Sequence, residues 1–265
     1  MGLPVNWRKP FKMLQLTTDM RISVSIIGHN EAHNLPRCLA SVKWADEVVY
    51  VDCASADGSA ELAASLGARV FTRPNDANLN VNKQFGLEQC SGDWIFYLDP
   101  DEEVSAGLAE GLRGELEKSR YSAYVLPRRN YYFGRWLKRG GKYPDRQLRI
   151  FRRGKASFPC VDVHERLKVD GPVGALRWHI DHHPYNTAAE LLRKLDFYTG
   201  RGAGRCAEKG KPVSLTRAGR KFLVNYFVLR GFMDGPEGFV SASFDLFNEC
   251  LTWLKHREGG GAGGR

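Results

Sequence analysis

Between Ile22 and Leu98 short β-branched or aromatic runs alternate with stretches whose apolar residues recur at helical spacing, and this alternation restricts the fold more than any other feature. Ile22–Ile27, Glu47–Asp52, Arg69–Thr72 and Trp94–Leu98 read as strands. Leu35, Leu39 and Val42 mark a helix after the first, and Ala60 to Leu66 form one after the second, closed by Gly67 as a C-terminal cap. A further helix spans roughly Asn80 to Cys90. Trp94–Leu98 is apolar throughout and short enough to be a strand buried on both faces. The order β-α-β-α-β-α-β implies an α/β fold with a mostly parallel, doubly wound sheet, whose ligands sit beyond the carboxyl ends of the strands. Three polar loops, carrying Asn30-Glu31, Asp52 and Asp99-Pro100-Asp101, then face one crevice.

The last of these loops has its own chemistry. A buried strand delivers Asp99 and Asp101 one residue apart, so both carboxylates can point the same way. Hard oxygen ligands in that arrangement suit Mg²⁺ or Mn²⁺, which keeps positions open for the phosphates of a nucleotide and neutralises charge on a departing diphosphate. An Asp-x-Asp triplet alone equally describes a solvated acidic turn. Its convergence with the other two loops gives it weight.

Bulk properties narrow the setting. Arg8, Lys9, Pro10, Lys12 and Asp19 interrupt the first twenty residues, which therefore lack the apolar core of a signal peptide, and the expected location is the cytoplasm. The best candidate for a membrane span, Phe222 to Met233, is broken by Asn225, Arg230 and Gly231. Six scattered cysteines without a Cys-x-x-Cys pair argue for free thiols rather than a zinc knuckle or disulfide framework. The net charge of +9 draws nucleic acid, anionic headgroups or phosphorylated small molecules alike.

Beyond residue 120 the pattern changes. Tyr121 to Asn130 and Gln147 to Arg152 read as strands flanking a Gly-rich, basic and aromatic stretch, and from Asn186 onward apolar residues at helical spacing indicate three helices. The stretch Arg128 to Arg139 can cradle phosphate and stack a sugar ring; no RNA-binding signature accompanies it, so nucleic acid is not the expected partner.

The segments Val24-Ser25-Ile26-Ile27-Gly28-His29-Asn30-Glu31, Val51-Asp52-Cys53-Ala54-Ser55-Ala56-Asp57-Gly58-Ser59 and Gly92 to Glu102 resemble, in order, those of a family-2 glycosyltransferase of the GT-A fold. The resemblance implies a nucleotide-sugar site formed by Asn30, Glu31, Asp52, Asp57, Arg73, Lys83 and Asp99. In it Asp52 accepts from the base, Asp57 and Arg73 line the same pocket, Asp99 meets the ribose, Asp101 holds the metal and Lys83 contacts phosphate. Lys83-Gln84-Phe85-Gly86 and Cys53 depart from the usual pattern. The implied domains are an N-terminal extension (1–20, flexible), a catalytic domain (21–185, with a nucleotide-sugar half 21–104 and an acceptor half 105–185), a helical region (186–258) and a disordered tail (259–265).

Tyr143-Pro144-Asp145-Arg146-Gln147-Leu148-Arg149-Ile150-Phe151-Arg152-Arg153, Val163-His164-Glu165-Arg166-Leu167 and Gly231 to Gly238 resemble the branch of that family that glucosylates the lipopolysaccharide inner core. Inversion needs a base to take the acceptor proton, and a carboxylate suffices. Glu165 is the first candidate and Asp145 the competitor, the latter equally a salt-bridge partner of nearby arginines. His182, or else His164, completes the metal shell; alternatively the 179–183 cluster is a hydrogen-bonded loop before a helix capped by Asn186 or Thr187. Arg217, Arg220 and Lys221 beside Phe222, Leu223, Tyr226 and Phe227 fit a helix resting in the bilayer interface or packing on the catalytic domain.

The leading expectation is transfer of a hexose, glucose from UDP-glucose, to a lipid-linked or phosphorylated glycan of the inner-core type, with peripheral contact to the inner membrane. A family-2 enzyme acting on a polyprenyl phosphate, capsule precursor or peptide would carry the same first half. A basic module binding nucleic acid or membrane is the non-enzymatic alternative.

Overall fold

The structure, a computed structural model, describes residues 19–76, 78–161, 166–209 and 214–261. The first half follows the alternation: β1 (Ile22–Gly28), α1 (Leu35–Ser41), β2 (Glu47–Asp52), α2 (Ser59–Ser65), β3 (Arg69–Thr72), α3 (Leu79–Gln89) and β4 (Trp94–Leu98). β1 pairs in parallel with β2 on one side and β4 on the other, and β2 with β3. Alternation along β1 and β4 splits the core between the two faces of the sheet. Ile22, Val24, Ile26, Trp94, Phe96 and Leu98 pack under Leu35 and Leu39 of α1, whereas Ile95 and Tyr97 share the opposite cluster with Val49, Val51 and Leu87 of α3. Gly86 lets α3 approach closely, because a Cβ there would lie 2.8 Å from Ser25 Oγ.

After β4 come β5 (Glu102–Val104), α4 (Ala106–Glu117), β6 (Ala123–Tyr132), β7 (Arg135–Leu137), β8 (Asp145–Arg152), β9 (Ala156–Ser157), β10 (Lys168–Val169), β11 (Val173–Ala175) and β12 (Ile180–Tyr185). α4 buries Leu108, Leu112 and Leu116, spaced by four, against the α1 face. The large sheet runs β3-β2-β1-β4-β8-β6-β12-β5. Parallel through β4, it becomes mixed where β8 enters antiparallel to both β4 and β6. His182 and His183 do not form a loop but belong to β12, which lies between β6 and β5 with His182 opposite Glu102, while His179 precedes the strand.

α5 (Ala188–Lys209), α6 (Leu215–Leu223) and α7 (Gly235–Gly261) complete the chain. Thr187 caps α5: its Oγ1 accepts from Glu190 N at 3.2 Å, and the Glu190 carboxylate accepts from Asn186 N at 2.7 Å. The helix expected over Arg217 to Arg230 is interrupted by a π-helical segment at Val224–Val228 and ends where Arg230 takes φ 57°. α7 continues through Gly261, so the tail expected from Gly259 begins no earlier than 262, outside the described residues. Among the described residues no helix is long and apolar enough to cross a membrane.

Candidate functional site

A cleft of about 830 Å³ opens beyond the carboxyl ends of β1 and β4, where a doubly wound sheet exposes its crevice. Its lining includes Gly28, Glu31, Lys83, Asp99 and Asp101 from the parallel half and Arg128, Asn130, Lys142, Asp145 and His182 from the strands and loops that follow. α5 closes it with Lys194, Phe197, Tyr198 and Arg201, residues at i, i+3, i+4 and i+7 that share one helical face. Five Lys or Arg side chains stand against four carboxylates in this lining, so its field favours an anionic ligand.

Asp101, His182 and Lys194 meet at one wall. The strand alternation of β12 turns His182 and Pro184 into the cleft, while His183 stacks on Tyr131 with ring centroids 4.9 Å apart. His182 Nε2 lies 3.5 Å from Asp101 Oδ2, and its Nδ1 lies 2.6 Å from Asn130 Oδ1, which orients the ring. Lys194 Nζ donates to Asp101 Oδ2 at 2.9 Å. Burial alone would raise the Asp101 carboxyl, but the His182 contact and the Lys194 charge hold it well below the usual carboxylate range. Among the described residues no group of three or more His, Cys, Asp or Glu is placed to hold a metal ion. Asp101 Oδ2 and His182 Nε2 are the two donors on this wall that a divalent ion would use, Mn²⁺ more readily than Mg²⁺ because of the imidazole, and the ion would have to displace the Lys194 ammonium from Oδ2.

Behind this wall lies a buried ionic clamp. Arg149, 6% exposed, donates to Asp99 Oδ2 at 2.6 Å and to Glu102 Oε1 at 2.5 Å, and Arg128 reaches the same Glu102 oxygen at 2.9 Å. Glu102 Oε2 accepts from Asp99 N at 3.0 Å, and Tyr97 donates to the Asp99 carboxylate. Burial pushes Asp99 up, yet the charges of Arg149 and Lys83 outweigh it and leave the carboxyl far below its ordinary value. Asp99 is thus fixed and ionised at the cleft floor. Neither Glu102 nor Arg149 was singled out by sequence reasoning. Glu102 N bonds Asp99 O at 3.0 Å in a turn that returns the glutamate to its own loop, a local signal, whereas the Arg149 pairing spans 47 residues and left none.

Asp145 lines the cleft but is held on both oxygens: Arg128 at 2.8 Å and Asn130 at 3.2 Å engage Oδ2, and Gln147 at 2.7 Å engages Oδ1. Burial raises its pKa less than Arg128 and the amides lower it, so the carboxylate stays below the normal range. That geometry is the salt-bridge arrangement more than that of a free base. Glu165 and His164 lie outside the described residues.

The residues implied for the nucleotide divide into two groups. Glu31 and Lys83 line the cleft, and Lys83 Nζ sits 5.1 Å from the Tyr97 ring centroid. Asn30, Asp52, Asp57 and Arg73 are not among its lining residues. Asp57, expected in the pocket, instead ties two loops together: Oδ1 accepts from Ser59 N at 3.1 Å and Oδ2 from Ala32 N at 3.0 Å. Asn30, at φ 57°, does the same by accepting from Ala56 N at 2.8 Å. Asp52 is 2% exposed at the end of β2; Oδ2 accepts from Ser55 N at 3.0 Å, while buried Oδ1 has no hydrogen-bond partner among the described residues. Arg73 stacks on Phe85 at 4.6 Å to the centroid and donates to Asn82 at 3.4 Å. Cys53 lines the cleft beside Asp52, and Asn82 Nδ2 lies 3.3 Å from its sulfur.

Comparison with known proteins gives the family. The chain is 32% identical over 198 residues to the lipopolysaccharide core biosynthesis glycosyltransferase LpsC of Rhizobium meliloti, covering 72% of this chain and 73% of that protein. An uncharacterized glycosyltransferase of Rickettsia typhi is 28% identical over 255 residues, covering 90% and 87%. Among solved structures, S. aureus TarS residues 1–349 in complex with UDP-GlcNAc aligns over 91% of this chain and 92% of that chain at 13% identity, with a TM-score of 0.49. The sequence profile described as Glycosyl transferase family 2 matches residues 23–167, which span the parallel half of the sheet and the loop carrying Asp99 and Asp101, and the chain belongs to that family of glycosyltransferases, with a GT-A fold.

Proposed function

We propose that this glycosyltransferase moves a hexose, glucose from UDP-glucose, with inversion, onto a phosphorylated or lipid-linked glycan of the lipopolysaccharide inner-core type. The observation that carries this reading is the meeting of Asp101, His182 and Lys194 at the wall of a cleft rimmed by Lys83, Arg128 and Lys142. Such a site matches a diphosphate at its centre and a charged acceptor at its edge. The LpsC relative, named for lipopolysaccharide core biosynthesis, supports the acceptor class.

In the proposed reaction the acceptor hydroxyl oxygen attacks the anomeric carbon, the carbon–oxygen bond to the diphosphate breaks, UDP leaves with the electron pair, and the hydroxyl proton passes to a base. Asp101 and His182 would hold Mg²⁺ or Mn²⁺, which supplies positive charge for the leaving diphosphate when bound. Lys194 and Lys83 add fixed charge beside it. Asp99, immobilised by Arg149, is assigned to the ribose. Asp52, with a buried oxygen that lacks a donor, is assigned to an N–H of the base, and Arg73 stiffens the floor beneath it. The acceptor's base is assigned to Glu165, leaving Asp145 to position Arg128.

The direct test is a panel of nucleotide-sugars assayed for Mn²⁺-dependent thermal stabilisation and for transfer. UDP-glucose should stabilise most, and equal silence from every nucleotide-sugar would reject the reading. Asp52→Ala should raise the donor KM about tenfold or more with little change in kcat, since a contact to the base is made equally in ground and transition states. A defect confined to kcat would contradict that role. Glu165→Gln should keep UDP binding and lose transfer by at least about a hundredfold, while Asp145→Asn keeps measurable transfer. The opposite pattern would hand the base role to Asp145.

A further inference from the structure

The segment from α6 to the start of α7 carries an apolar surface that the fold does not cover. Leu223, Phe227, Val228, Phe232 and Met233 are 49–70% exposed and lie within eleven residues of chain, where monomeric proteins keep such patches small. The backbone is built to display them. The π-helical segment Val224–Val228 widens the helix, and the left-handed Arg230 then turns the chain into the 3₁₀ turn Gly231–Asp234, so two apolar groups are presented side by side. Gly231 makes this turn possible, because a Cβ there would lie 2.8 Å from Asn225 O.

Along the segment itself the charge has one sign. From Ser214 to Met233 the sequence holds Arg217, Arg220, Lys221 and Arg230 and no acidic residue. Arg217, Arg220 and Arg230 are exposed, whereas Lys221 pairs with Asp245 at 3.1 Å. The acidic residue that ends the segment, Asp234, is buried and accepts from Arg139 N at 2.7 Å.

The patch is also joined to the cleft. Gly140 N donates to Leu229 O at 2.9 Å, and a Cβ at Gly141 would touch the Leu229 side chain at 3.2 Å. Gly141 and Lys142, the next residues in that loop, line the cleft.

From these three observations we infer that the α6–α7 junction is a docking surface for an anionic lipid bilayer, with its apolar side chains seated among the acyl chains and its arginines at the headgroups. Exposed apolar side chains beside the exposed Arg217, Arg220 and Arg230 match an anionic interface better than a neutral one. Docking through this junction brings the acceptor edge of the cleft to the bilayer surface, where a lipid-linked glycan projects. The inference rests on the proposed acceptor class and deepens it.

The test uses the full chain with vesicles of phosphatidylcholine alone and vesicles containing phosphatidylglycerol, scored by co-sedimentation. The chain should pellet with the anionic vesicles, and added salt should weaken binding. Phe227→Glu with Val228→Glu should lower partitioning about tenfold or more, and Arg217→Glu with Arg220→Glu should abolish the preference for anionic vesicles. Both pairs are exposed and none of the four residues lines the cleft, so UDP stabilisation and transfer to a water-soluble acceptor should be unchanged. Phe227→Leu should bind as the parent does. Failure to pellet with anionic vesicles, or equal binding by the F227E/V228E pair, would overturn the docking role. A vesicle-free dimer that F227E/V228E converts to monomer would also overturn it, by assigning the patch to a second copy of the chain. If vesicles bind but no sugar is transferred, the enzymatic reading fails and docking stands; if a soluble acceptor is glycosylated but vesicles are ignored, the reverse holds.

Discussion

Asp101→Ala is expected to lower sugar transfer by at least about a hundredfold while the protein remains folded. Asp101 is the carboxylate on which His182 and Lys194 converge, so in the proposed reaction its loss would remove the anchor for a divalent ion and release the lysine that would stand beside the diphosphate. The fold should tolerate the change, because Lys194 keeps a side-chain exposure of 33% and its ammonium can turn to water. Two measurements separate the roles. Initial rates at saturating donor report the transfer defect, and thermal shifts with UDP in the presence and absence of Mn²⁺ report ion binding. The variant should still gain stability from UDP, but the additional gain from Mn²⁺ should vanish. Transfer within a few-fold of the parent, with the ion effect preserved, would remove Asp101 from the metal site.

Glu102→Ala should destabilise the protein by about 3–5 kcal/mol, the characteristic cost of removing one member of a buried ion cluster. The glutamate is fully buried, and both Arg128 and Arg149 share its Oε1 while Oε2 binds the backbone of Asp99. Without it two guanidinium groups converge with their shared counter-charge gone. The adjacent Glu103 is the control. It is 38% exposed and makes only long contacts, 3.9 Å to Arg37 and 3.8 Å to His183, so Glu103→Ala should shift stability by no more than about 1 kcal/mol. Urea unfolding of the two variants measures the contrast through the transition midpoint, with the slope checked for constancy. Similar midpoints for both would show that Asp99 and Asp145 compensate the arginines by themselves.

The two predictions also show why neighbouring acidic residues in one short loop take different parts. Asp99, Asp101 and Glu102 occupy four consecutive positions with Pro100, yet one is clamped at the cleft floor, one faces the cleft wall and one is buried behind it. Which carboxylate takes which part depends on partners contributed by β6, β8, β12 and α5.

The parallel half of the molecule was legible in the residues because its signals are local. Alternating apolar faces, β-branched runs and a glycine after α2 specify each strand and helix within its own window; the strands Glu47–Asp52, Arg69–Thr72 and Trp94–Leu98 coincide with the observed ones. The right-handed connection of such units then brings Asp52, Asp99 and the Asn30 loop to one edge without further information. α4 carries an equally local pattern in Leu108, Leu112 and Leu116, but it was not read from the sequence. The tertiary structure alone decided the rest. β12 is short and polar, and it becomes a strand because β5 and β6 supply its hydrogen bonds from 78 and 52 residues away, which is also what brings His182 to Asp101. Asp57 and Asn30, implied for the nucleotide pocket, also tether the loops after β1 and β2 to each other, through Ala32 N and Ala56 N, a pairing that only the packing of β1 against β2 creates. Lys194 reached the cleft because α5 folds back over the strand ends, and its helical spacing could report a face but not what that face would meet.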